Sequence, residues 1–86
     1  MAEQEHFELV IELTPGAEPG HVARWLQQHG LETLPLAVGL LAVGEARAVE
    51  ATFGAEPQGE LPIPQALSGE VRSIAVAPPK RLHEGA

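Results

Sequence analysis

Residues Trp25–Gly54, WLQQHGLETLPLAVGLLAVGEARAVEATFG, carry the reading that decides the fold. Gly30 and Gly54 sit where a helix gives way to the left-handed backbone that glycine adopts without strain. Between them the apolar run Leu34–Val43 breaks near Val38-Gly39. The stretch therefore reads as the end of one helix, a β-hairpin and a second helix. In the hairpin, Leu31–Ala37 forms one strand and Leu40–Val43 the next. Pro35 lacks a ladder donor, which confines its strand to a sheet edge. Leu40–Val43 is apolar at every position and suits a central strand, with either Leu40 and Ala42 or Leu41 and Val43 facing inward. The following helix spans Glu45–Phe53, with Gly44 as its N-cap and Ala46, Val49 and Phe53 on its buried face.

Upstream, His6–Leu13 (HFELVIEL) alternates with period two, as a half-buried strand does. Phe7, Leu9, Ile11 and Leu13 point one way; Glu8, Val10 and Glu12 point the other. Thr14-Pro15-Gly16 ends the strand. Pro19 or Gly20 opens a helix to about His29, with Val22, Trp25, Leu26 and His29 on one side. Downstream, Ala55–Gly69 is a Pro-rich connection. Its PIPQALSG segment holds one helical turn, and Leu61, Ile63 and Leu67 pin it to the core. Val71–Ala77 forms a fourth strand that Pro78-Pro79 halts, before the polar tail KRLHEGA.

The element order is β-α-β-β-α-β. Its usual packing is an α+β, ferredoxin-like domain: a four-stranded antiparallel sheet with both helices on one face. Strands one and three are expected at the centre, two and four at the edges. The 86 residues make one domain with a modest core. With aromatic content at 3%, that core rests on Leu, Val, Ile and Ala.

Composition removes several function classes. A net charge of −7 with a single lysine disfavours nucleic acid, whose phosphates need clustered Lys and Arg. The chain has no Cys, which excludes disulfides and thiolate metal sites. His21 and His29 lie on one helix without the spacing that aims two imidazoles at one metal. Glu3, Glu5, Glu8 and Glu12 read as a solvated face, and neither Ser68 nor Ser73 shows a triad partner. An acylphosphatase would need an arginine in its phosphate loop, and Arg24 falls inside a helix instead. No cofactor and no enzyme activity are expected. LPLAVGLLAVG is too short for a bilayer span, so no membrane partner is expected. MAEQEHFE lacks the basic start and apolar core of a signal peptide, which makes cytoplasmic the default location. The absence of Asn, Asp and Tyr, with many Pro and Ala, suits a thermophile or a GC-rich genome equally.

What remains is the sheet face away from the helices. On it stand Glu8, Val10 and Glu12 of strand one with two residues of strand three, either Leu41 and Val43 or Leu40 and Ala42. An apolar centre rimmed by carboxylates is expected to serve as a docking surface for a protein partner, the alternative being an ordinary solvated face.

WLQQHGLETL followed by GLLAVGEARAVEATFGAE resembles the C-terminal half of the propeptide, or activation domain, of sedolisins, the kumamolisin-type serine-carboxyl peptidases. The resemblance covers Val22–Glu56. It rests on Trp25, Leu26, His29, Gly30, Leu31, Gly44, Val49, Glu50, Ala51, Phe53 and Gly54, and ALSGEVRSI resembles the family's approach to the last strand. The hairpin is shorter than the family's, and the peptidase's catalytic Ser, Glu and Asp have no counterparts in this sequence. The resemblance implies a ferredoxin-like, propeptide-like domain that lays its open sheet face on a subtilisin- or sedolisin-type serine peptidase. Glu8 and Glu12 would then cap helix N-termini of the enzyme, Val10 would fill a gap, and the tail with Arg81, Leu82 and His83 would occupy the cleft. The implied function is that of an inhibitor or folding chaperone acting in trans. The other expectation is an interaction module without a peptidase partner, self-associating as a homo-oligomer or joining a larger complex.

Overall fold

A computed structural model describes residues 6–77. Strand β1 (His6–Leu13) leads into helix α1 (Pro19–Gln28), the hairpin β2 (Glu32–Leu36) and β3 (Gly39–Glu45), helix α2 (Ala46–Phe53) and strand β4 (Val71–Val76). The sheet order is β2-β3-β1-β4, and every neighbouring pair is antiparallel. This is the ferredoxin-like arrangement, with β1 and β3 central.

Local chemistry sets each boundary. Pro19 occupies the first turn of α1, where a missing N–H costs no helical bond. The helix ends in paired backbone bonds: the Leu31 N–H donates to the Leu26 carbonyl at 3.1 Å and the Gly30 N–H to that of Gln27 at 3.1 Å. Gly30 has φ +87°, so the motif needs a residue without a Cβ penalty. Leu26 and Leu31 are both buried, which fixes the angle at which the chain enters β2. Helix α2 also ends at a left-handed glycine, Gly54, φ +73°, but with a single bond, from its N–H to the Glu50 carbonyl at 2.8 Å.

Several element bounds differ from the sequence reading, and β4 stops at Val76 rather than Ala77. Glu45, not Gly44, caps α2, so the helix starts at Ala46. Gly44 instead belongs to β3, on the side facing the helices. A Cβ there would run into the Leu31 side chain, so the position is held open for packing rather than for capping. β3 is accordingly longer than Leu40–Val43. β2 is shorter than Leu31–Ala37, because Leu31 is consumed by the α1 stop and Ala37-Val38 forms the connection.

One apolar layer lies between sheet and helices. Leu9 and Ile11 of β1, Leu40 and Ala42 of β3, and Val71 and Ile74 of β4 meet Val22 and Leu26 of α1 and Val49 and Phe53 of α2. Leu61 and Leu67 from the connection join them, the latter from a single 3-10 turn, Gln65–Leu67. Burying each such side chain contributes roughly 1.5–3 kcal/mol. No buried polar or charged residue interrupts this layer among the described residues.

Candidate docking surface on the open sheet face

The register settles which residues of β3 look away from the helices. Leu40 and Ala42 are buried with Leu9 and Ile11, leaving Leu41 and Val43 on the opposite side. Val10 faces Leu41, Leu41 faces Leu34, and Val10 also faces Ala75. The four residues form one apolar row, Leu34–Leu41–Val10–Ala75, straight across the sheet. The next row on one side is Glu32–Val43–Glu8, and on the other Leu36–Gly39–Glu12–Ser73. Carboxylates thus bracket the apolar row from both ends of the strands.

Five of the residues singled out from the sequence, Glu8, Val10, Glu12, Leu41 and Val43, stand together on this face. Arg81, Leu82 and His83 lie outside the described residues. Sequence reasoning missed Glu32, Leu34, Leu36, Ser73 and Ala75. The signal for the first three was present in the hairpin. A two-residue connection at Ala37-Val38 pairs Leu36 with Gly39, and that pairing puts Leu34 beside Leu41.

Details of the face follow from backbone geometry. Gly39 lies where β3 crosses close over β1, and a Cβ there would collide with the Ile11 carbonyl. Glu12 accepts a hydrogen bond from the Ser73 hydroxyl at 3.1 Å. The register slips between Glu12 and Leu13, so Arg72 is an extra residue on β4 opposite that step. Such a bulge sharpens the local twist.

The two sheet edges are unlike. β4 is covered by its own chain: the Leu61 N–H donates to the Ile74 carbonyl at 2.9 Å, and the Val76 N–H to the Gly59 carbonyl at 2.8 Å. β2 has no such cover among the described residues. Leu36 and Gly39 close the hairpin as a hydrogen-bonded pair, so the alternation of an antiparallel ladder turns the Pro35 nitrogen outward. Proline therefore blunts the free edge without breaking the hairpin. The most exposed large apolar side chains, Leu34 at 55%, Leu36 at 40% and Val38 at 65%, all belong to this hairpin and extend the apolar row to its tip.

Away from the face, His21 Nδ1 lies 2.8 Å from Glu70 Oε1, tying α1 to the start of β4. His29 stacks on Trp25 with ring centroids 3.9 Å apart, and its Nδ1 lies 2.8 Å from the Trp25 carbonyl. A ring nitrogen bonded to a carbonyl at the end of a helix is a capping interaction. Among the described residues no group of three or more His, Cys, Asp or Glu is placed to hold a metal ion. No described helix is long and apolar enough to cross a membrane.

No family model, curated protein sequence or solved structure matches this chain.

Proposed function

We propose that this chain is a non-catalytic, propeptide-like binding protein that acts in trans on a subtilisin- or sedolisin-type serine peptidase, as inhibitor or folding chaperone. The observation that supports it is the apolar row Leu34–Leu41–Val10–Ala75 on the uncovered sheet face, bracketed by Glu8, Glu12 and Glu32. Such a surface fits a partner with an apolar patch flanked by positive charge or helix N-termini. The tail carrying Arg81, Leu82 and His83 enters the cleft in this reading. The test is a peptide-cleavage assay against a panel of both enzyme classes. Slowed cleavage, weakened on removal of the residues after Pro79, is the expected result. Absence of inhibition and of refolding assistance across the panel overturns the reading.

A second reading is an interaction module with no peptidase partner. The exposed Leu34, Leu36 and Val38 on the free edge hairpin favour it. A pull-down from the native host that recovers a non-peptidase assembly, lost on Leu34→Lys, would select this reading over the first.

A further inference from the structure

The connection from α2 to β4 crosses the β4 edge at Gly59–Leu61. Glu60 is the bridge partner of Ala75. Partners across a ladder share a side, so Glu60 stands on the open face, at the β4 end of the row Leu34–Leu41–Val10–Ala75. The Leu61 side chain turns the other way and is buried with the core. The segment thus sets a carboxylate at the end of the apolar row and covers the β4 edge.

Its hold on the sheet is slight. Among the described residues two backbone bonds join it to β4: the Leu61 N–H to the Ile74 carbonyl at 2.9 Å, and the Val76 N–H to the Gly59 carbonyl at 2.8 Å. Gly59 and Glu60 are exposed, which leaves Leu61 as the anchor. Gly59 has φ +65°, and glycine regains more backbone freedom on release than any other residue. Pro57 has no N–H with which to extend the ladder. On either side the chain is pinned independently, since Ala55 and Ile63 pack against the core. Few ladder bonds, one buried side chain and fixed ends describe a segment that opens without the rest of the domain.

We infer that Gly59–Leu61 is a latch on β4 that opens as a unit of its own while the four-stranded sheet stays folded. Opening takes the Glu60 carboxylate off the end of the apolar row. It also uncovers the Ile74 carbonyl and the Val76 N–H on the β4 edge. As a control on docking at the open face, the latch rests on the reading of that face as a binding surface. As a motion of the chain it does not, and the experiment follows the motion with no partner present.

The test is amide hydrogen exchange of the full chain, followed by NMR in a series of urea concentrations below the unfolding transition. The latch predicts that the Leu61 and Val76 amides share one opening constant. That constant should exceed those of Leu9 and Ala42, register partners in the central strand pair, at least about tenfold. It should also respond little to urea, whereas those of Leu9 and Ala42 rise steeply. Equal protection and equal urea dependence at all four amides overturn the inference. So does a Val76 amide that follows Ala77, which bonds the Glu8 carbonyl, instead of Leu61, because that marks fraying of the strand end.

A cross-link supplies the second measurement. Glu60 and Ala75 face each other between the two bonds, as a pair of the kind whose Cα atoms lie about 4.5 Å apart, within disulfide reach. The chain has no cysteine of its own to compete. In the double variant Glu60→Cys, Ala75→Cys, oxidation should slow the Leu61 and Val76 amides to the rates of Leu9 and Ala42, and reduction should release them. Exchange at Leu61 and Val76 that is the same in the oxidised and reduced forms contradicts the latch.

Discussion

Val10 of β1 and Leu41 of β3 are register partners on the two central strands, and both side chains stand on the side that no helix covers. Their neighbours in the same strands, Leu9, Ile11, Leu40 and Ala42, fill the core instead. One strand pair thus supplies both the layer that holds the domain together and the centre of the face that the helices leave uncovered. Substitutions on the two sides of this pair should separate stability from binding.

On the core side, Leu26→Ala removes a fully buried side chain between α1 and the sheet. Its expected cost is about 2–5 kcal/mol in urea unfolding. For a domain of this size each kcal/mol lowers Tm by roughly 4–8 °C. Ile11→Val, which removes one methylene from the same layer, should cost about 0.5–1.5 kcal/mol.

Gly39 and Gly44 should behave differently although both are buried strand glycines. Gly39→Ala sets a methyl against the Ile11 carbonyl, which is backbone of the central strand. Gly44→Ala meets only the end of the Leu31 side chain, which has rotamers to give. Overpacking costs about 1–3 kcal/mol, and Gly39→Ala should fall at the upper end with Gly44→Ala below it. Chemical denaturation of both variants checks the order.

Pro35→Thr restores an outward N–H to the free edge of β2. The fold should survive, because the nitrogen at this position makes no bond to β3. The new donor makes the edge a template for another strand, so concentration-dependent association should rise in light scattering. Unchanged scattering would show that Leu34 and Leu36, not the missing donor, set the behaviour of this edge.

Trp25 is the only tryptophan, so its fluorescence reports one site. His29→Ala removes the ring stacked on it and the contact with the Trp25 carbonyl. The emission should change with little loss of stability, within about 1 kcal/mol for a capping interaction at an exposed position.

Much of this fold was legible because glycine and proline mark its corners. Gly30 and Gly54 end the helices, and Pro19 starts the first. Alternation in HFELVIEL marks the two faces of β1. The parity of β3 was not legible in its own residues: Leu40, Leu41, Ala42 and Val43 are all apolar, and period two needs a polar phase to read. Only pairing with β1 and β2 resolves it. The assignment of Gly44 as a cap failed because a glycine before a helix has two uses, and the size of Leu31 behind it decides between them. The bridge of Glu60 to β4 left no mark either, since Pro57 and Pro62 around it read as loop.

The most direct measurement of the docking account is amide chemical-shift mapping of the labelled chain as a subtilisin- or sedolisin-type peptidase is added. The account predicts that the largest changes cluster at Glu8, Val10, Glu12, Leu34, Leu41 and Val43, with α1 and α2 largely unperturbed. Changes concentrated on the outward helix residues Arg24, Gln28, Arg47 and Glu50, with the sheet face silent, would contradict it.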